Sequence, residues 1–138
     1  MGELVEINQK ILTQIPGEKG SIYKFLNSDS EDFDGFGELY FSSVNKNTTK
    51  GWNMHKKAVC KLLVIRGEIE FVIASDTSKS ETFKKLSLNE EHLSVLTIPK
   101  RFWFCFKGLR DKNLLMNFTN LKHDPQESCK KEIFKEHE

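Results

Sequence analysis

With 138 residues and 21 Lys plus Arg against 20 Asp plus Glu, the chain is nearly neutral. It therefore carries no overall field that would draw it onto nucleic acid or an acidic membrane, and neither is expected as a partner. No apolar run approaches the roughly 20 residues of a membrane span, and the N-terminus MGELVEINQK lacks the basic and hydrophobic regions of a signal peptide. The expectation is a cytoplasmic protein. Three cysteines, Cys60, Cys105 and Cys129, have no CxxC spacing, which argues against a disulfide framework or a structural zinc site. The length suits one domain spanning 1–138.

In chain order, LVEINQKILTQI (4–15) reads as an extended segment ending at the turn Pro16-Gly17, and SIYKFLN (21–27) reads as a strand. The acidic, Ser-rich SDSEDFDGFG (28–37) is a loop, ELYFSSVN (38–45) a strand and KNTTKG (46–51) a polar turn. In GWNMHKKAVCKLLVIRG (51–67), a strand carries Asn53 and His55, an apolar run follows, and Arg66-Gly67 is read as the turn of a hairpin into EIEFVIA. Residues two apart on a strand share a face, so Asn53 and His55 point the same way; Lys57 and Lys61 join them if no bulge intervenes.

Beyond the hairpin, SDTSKSET (75–82) is a loop, FKKLSL (83–88) a short alternating strand, NEEH a turn, and LSVLTIP (93–99) a strand stopped by Pro99. FWFCFKG (102–108) sets Phe102, Phe104 and Phe106 on one face and Trp103 with Cys105 on the other, while Trp52 points away from His55 toward the opposite sheet or a subunit interface. LLMNFTNL (114–121) is the last strand, and the charged tail 123–138 is read as a short helix or a frayed end. Many short strands separated by turns, with almost no helical periodicity, indicate an antiparallel sandwich or barrel.

The spacing Asn53-x-His55-x4-Cys60-x6-Gly67 resembles the first cupin motif, and Pro99-x-Arg101-x2-Phe104 the second. Within the cupins, KGSIYKFL, FGELYFSSVN, KGWNMHKK, KLLVIRGEIEFV, LTIPKRFWFCFKGL and HDPQES resemble dTDP-4-dehydrorhamnose 3,5-epimerase and the related ketoisomerases, over roughly residues 19–128. The resemblance implies an all-β, single-domain cupin jelly roll with its core at about 19–122 and a short C-terminal tail. It further implies a homodimer whose N-terminal strands add to the partner's sheet, and a nucleotide-sugar ligand used in polysaccharide or secondary-metabolite assembly. The positions that hold a metal in other cupins carry Asn53, His55, Cys60 and Phe104, a poor donor set, so no metal and no cofactor are expected.

Epimerisation next to a ketone needs a base, a partner for the enolate oxygen and an acid on the opposite face. An imidazole, with an ordinary pKa of ~6.5, suits the base. His55 is the candidate, although alignment from Gly51 sets Asn53 opposite the family's base. Lys61 matches the family lysine that faces the sugar and is the candidate enolate or phosphate partner. Tyr40 substitutes for the family's acid, because Asn120, Leu121, Lys122 and His123 stand where that tyrosine is found. For substrate binding the candidates are Asn53, Lys50 and Arg101, Phe104 as a pocket wall, and Lys19 and Tyr23 in the segment matching the family's nucleotide-binding stretch.

Two functions remain open. One is a metal-independent epimerase or ketoisomerase acting on a dTDP-4-keto-6-deoxy sugar, and the other a non-catalytic cupin that binds a sugar or nucleotide sugar. An acid opposite His55, and a carboxylate or carbonyl orienting its second nitrogen, are the features that separate them.

Overall fold

A computed structural model describes residues 6–132. The extended segment read from Leu4 and the charged tail therefore fall partly outside the described residues. Within them the elements are β1 (Asn8–Ile11), β2 (Thr13–Ile15), β3 (Ile22–Lys24), β4 (Glu38–Ser43), β5 (Thr49–His55), β6 (Cys60–Arg66) and β7 (Glu68–Ala74). After a 3-10 turn at Ser80–Thr82 come β8 (Lys84–Asn89), β9 (Ser94–Ile98), β10 (Trp103–Gly108), β11 (Leu114–Thr119) and β12 (Ser128–Lys130). They form two five-stranded sheets, ordered β1-β9-β6-β11-β4 and β12-β5-β10-β7-β8, and a separate β2-β3 hairpin. Every strand pair is antiparallel, which is the jelly-roll architecture of a cupin.

The sandwich closes because alternate residues of both sheets point inward. The first sheet sends in Cys60, Leu62 and Val64 from β6, Leu96 and Ile98 from β9, and Leu115 from β11; the second sends in Ile69, Phe71 and Ile73 from β7, Leu88 from β8, and Phe104 and Phe106 from β10. Strands such as β6 and β9 read as continuous apolar runs because their outer faces are covered too. Leu12 packs on Leu63 and Val95 over the first sheet. Over the second, Trp52, Val72, Ala74 and Cys105 form a cluster capped by Phe83 and Trp103. Trp52 thus lies on the outer face of its own sheet, not toward the opposite one.

Three expectations are corrected by the topology. First, β6 and β7 are not a hairpin: β6 pairs with β9 and β11, and β7 with β8 and β10. At Gly67 the chain crosses from one sheet to the other. Each strand finds better cover between two others than against its sequence neighbour, and a period-two pattern on both sides of a turn cannot distinguish the two arrangements. Second, the tail supplies β12, which pairs Ser128, Cys129 and Lys130 with His55, Met54 and Asn53. Third, β1 adds to β9 of its own chain, Asn8 opposite Thr97 and Ile11 opposite Ser94.

Gly67 has φ +79 and exchanges hydrogen bonds with Glu90, its N–H donating to Oε1 at 2.9 Å and its C=O accepting from the Glu90 N–H at 3.0 Å. The buried amide of Asn113 fastens the same corner, accepting from the N–H groups of Glu68 and Arg110 and donating to the carbonyls of Val44 and Arg110. A Cβ at position 67 would collide with the Lys112 carbonyl and the Asn113 side chain. Gly67→Ala therefore combines a disfavoured left-handed backbone with a clash, and is expected to destabilise the protein by roughly 2–3 kcal/mol, read from the midpoint of urea unfolding.

Candidate functional site

The interior is apolar over β6–β10 and polar where β4 and β11 of the first sheet face β5 of the second. Register puts Tyr40 opposite Asn117 and Ser42 opposite Leu115, so Tyr40, Ser42 and Asn117 share the inward face of Leu115. From the other sheet, Asn53 pairs with the inward Phe104, and His55 lies two residues on. Between Phe104 and Phe106 the register shifts: Asn53 stands opposite Phe104, but Lys50 stands opposite Phe106. The extra residue of this bulge rotates Lys50 onto the face shared by Asn53 and His55. Gly51 permits it, having φ +112 and a position where a Cβ would lie 2.8 Å from the Cys105 Cα. Lys50 then reaches across the opening, its Nζ donating to the Ser42 hydroxyl at 3.0 Å and the Ser43 carbonyl at 2.7 Å.

An aromatic row leads from the core to this polar half. Phe71 and Phe106 have centroids 5.9 Å apart, Phe106 and Phe104 6.3 Å, and Phe104 lies beneath the His55 ring at 6.5 Å with planes 24° apart. Phe104, expected from the sequence as a pocket wall, is buried in the core against the His55 ring. His55 Nδ1 lies 2.7 Å from Oε1 of Glu127, whose Oε2 accepts from the backbone N–H groups of Ala58 at 2.8 Å and Lys57 at 3.0 Å. The Glu127 side chain is only 9% exposed. Burial pushes its carboxyl up, but the His55 ring and the two N–H groups together outweigh burial and hold it below the usual carboxylate value. An ionised Glu127 can only accept, so the proton of that hydrogen bond sits on His55 Nδ1.

Tyr40 lies on the inward face of the sheet opposite the one that carries His55. Burial, followed by the neighbouring Cys60 and Glu38, pushes its phenol up, against a hydrogen bond from Asn117. Because Asn117 Nδ2 donates to the Tyr40 oxygen at 2.9 Å, that bond does not consume the phenolic proton. The Cys60 thiol is pushed up to about 12, by burial and then by the charge of Glu127; it is a neutral thiol. Among the described residues, no three His, Cys, Asp or Glu side chains converge closely enough to hold a metal ion.

Lys61 is not part of this assembly. Cys60 and Leu62 point inward, so Lys61 leaves β6 on the outer face, buried, with its Nζ 3.2 Å from Asp32 Oδ2 and 3.4 Å from Thr97 Oγ1. It borders a separate cleft of about 450 Å³ lined also by Glu31, Asp34 and Val59. The sequence reading extended the alternation of β5 through Lys57 to Lys61, whereas the chain leaves β5 at His55 and enters the other sheet at Cys60. Lys19 and Tyr23 lie on the exposed β2-β3 hairpin, away from His55 within the chain; the Tyr23 hydroxyl accepts from Gln14 Nε2 at 3.4 Å. Arg101 adjoins the site through its backbone, its N–H donating to the His55 carbonyl, while its side chain is exposed.

Two residues of the site were not singled out in the sequence. Glu127 lies in the HDPQES stretch, 72 residues from its partner His55, and nothing in its immediate neighbours marks it. Asn117 is legible only once LLMNFTNL is known to alternate with Asn117 inward.

No family model matches the chain, and neither does any curated protein; the likeness lies in the three-dimensional structure. A dTDP-sugar isomerase from Desulfovibrio desulfuricans superposes with a TM-score of 0.79 at 28% identity, over 91% of this chain and 83% of that one. The 3,4-ketoisomerase QdtA from Thermoanaerobacterium thermosaccharolyticum, in complex with TDP-4-keto-6-deoxyglucose, gives a TM-score of 0.75 at 18% identity, over 92% of this chain and 88% of that one. The 3,5-epimerase RmlC from Legionella pneumophila, in complex with dTDP-4-keto-L-rhamnose, gives 0.81 at 17% identity, over 99% and 78%. The chain has the cupin jelly-roll fold of the dTDP-sugar epimerases and ketoisomerases.

Proposed function

We propose that the protein is a metal-independent epimerase or ketoisomerase of a dTDP-4-keto-6-deoxy sugar, folded as one cupin domain and working in the cytoplasm. The observation that carries this reading is the His55–Glu127 hydrogen bond on the inward side of one sheet, with Tyr40 on the inward face of the other. Non-catalytic binding would require neither a carboxylate that fixes the imidazole tautomer nor a phenol whose proton is left out of its own hydrogen bond.

In this mechanism His55 Nε2 removes the proton on the carbon next to the C4 ketone, becoming an imidazolium that Glu127 stabilises through Nδ1–H. The electron pair of the broken C–H bond moves toward the ketone oxygen, giving an enolate. Lys50, which crosses the opening on the same face as His55, takes the part the sequence reading gave to Lys61 and meets the enolate oxygen or the diphosphate. For epimerisation, Tyr40 gives its phenolic proton to the same carbon from the opposite face, and solvent restores the two side chains. For ketoisomerisation, the C3 hydroxyl passes its proton to the C4 oxygen and the proton held by His55 returns at C4 on its own face, leaving a hydroxyl at C4 and the ketone at C3. In this reading Asn53 and Phe104 meet the sugar, and Arg101, whose N–H meets the His55 carbonyl, is the candidate partner of the phosphate.

The homodimer belongs to this proposal as well. Leu39 and Phe41 are 46% and 55% exposed on the outer side of the first sheet, next to an apolar cleft of about 430 Å³ lined by Phe25, Phe36 and Phe118. Apolar surface of that kind is best covered by a second copy. The pairing carries each copy's β2-β3 hairpin, with Lys19 and Tyr23, toward the other's nucleotide.

Incubation with dTDP-4-keto-6-deoxyglucose in deuterium oxide is expected to introduce deuterium at C3 or C5, and His55→Asn to abolish it; binding without exchange in the wild type would leave the protein a reader of nucleotide sugars. Glu127→Gln is expected to slow exchange by roughly 10²-fold while the sugar still binds. Since Glu127 is held below its ordinary value of 4.5, its stabilising contribution is complete above that value and is lost as pH falls through the lowered one. Urea unfolding of the wild type and Glu127→Gln should therefore differ near neutral pH and converge in acid. Finally, Phe41→Glu is expected to turn a dimer into a monomer in analytical ultracentrifugation.

A further inference from the structure

Asn117 is 5% exposed, lies on the inward face of β11, and spends its amide donor on its neighbour: Nδ2 donates to the Tyr40 oxygen at 2.9 Å. Its other end is different. Asn117 Oδ1 is fully buried and has no donor among the described residues. A buried carbonyl oxygen without a donor is costly, and proteins rarely tolerate one unless a ligand or solvent group completes it. The surroundings supply little: Leu62 and Tyr40 flank it in register, Leu115 precedes it on the inward face, and the nearby Cys60 is a weak donor.

Resting on the function proposed above, we infer that Asn117 is the residue that reads the C3 hydroxyl of the substrate, its Oδ1 accepting that hydroxyl's hydrogen bond. The geometry follows from the two sheets. His55 approaches the ring from the second sheet and removes a proton from the carbon next to the ketone. At a tetrahedral C3, the hydroxyl and the hydrogen occupy different positions, so a hydrogen directed at His55 leaves the hydroxyl free to turn toward the first sheet. There Asn117 stands beside Tyr40. One amide thus has two duties. Its N–H holds the phenol oxygen as an acceptor, which keeps the phenolic proton available for the substrate, and its C=O selects a ring bearing a hydroxyl beside the ketone. A site built to hydrogen bond a hydroxyl rejects the analogue that lacks it, because the acceptor is then left unpaired.

The test is calorimetric binding of dTDP-4-keto-6-deoxyglucose and its 3-deoxy and 2-deoxy counterparts, in the His55→Asn background to prevent turnover. The expected result is roughly 10- to 100-fold weaker binding of the 3-deoxy compound, with little change for the 2-deoxy compound. Asn117→Leu, which keeps the volume and removes the carbonyl, should bring the 3-deoxy and parent compounds to equal affinity, whereas a purely structural Asn117 would weaken all three alike. Equal binding of the 3-deoxy and parent compounds to the protein with Asn117 intact overturns the inference without recourse to the Asn117 variant. So does a gap that persists in Asn117→Leu. Binding of none of the three overturns the nucleotide-sugar reading itself, and this inference with it.

Discussion

The inward face of each strand is fixed by the two-residue period of a β-sheet, and the sandwich holds together because that face is apolar over most of its area. The alternation has one consequential interruption, the bulge of β5 against β10, where two residues, Gly51 and Trp52, stand opposite Cys105 alone. On one side of it Trp52 is buried in the outer cluster of the second sheet. On the other, Lys50 is turned inward beside Asn53 and His55. The same irregularity thus fills an outer core and places a cation at the opening of the interior, so packing and chemistry on this strand cannot be altered independently. Gly51 is required at the junction because the backbone of β10 passes too close for any Cβ.

Most strands were legible because they carry strong alternation between turn signals. Phe104 and Phe106 were assigned to the core face and Trp103 with Cys105 to the other on period alone, and the two clusters divide in that way. Pairing was less legible. CKLLVIRG and EIEFVIA look like the arms of a hairpin, yet the partners of both are distant in sequence, and a jelly roll uses such turns to change sheets. Lys61 was expected at the site from its match to the family lysine and from the alternation of β5 if no bulge intervened, but the chain changes sheets between them, and the face of β6 that looks inward belongs to Cys60 and Leu62.

The candidate site was half visible. His55 stood out as the imidazole of the central stretch, and Tyr40 as an aromatic on a strand able to flank it. The need for a carboxylate behind the imidazole followed from chemistry, but its identity did not. Glu127 comes from a charged tail whose composition suggests solvent exposure, and it is buried only because His55 and the free N–H groups of Lys57 and Ala58 all require an acceptor at the same place. A polar residue satisfied by long-range partners leaves no periodic signature. Asn117 is hidden for a related reason, since nothing local distinguishes an inward asparagine from one in water.

The hydrogen bond between His55 and Glu127 closes a loop of 72 residues. Contacts of such separation form late, after the strands they connect have paired and the entropy of closure has been met by burial elsewhere. An immature chain, or one whose β12 has peeled away, still carries the imidazole but lacks the group that sets its tautomer. The pair is in this sense a property of the finished molecule: under the proposed function, partly folded or C-terminally clipped forms are inert toward sugars, whatever their content of native strands.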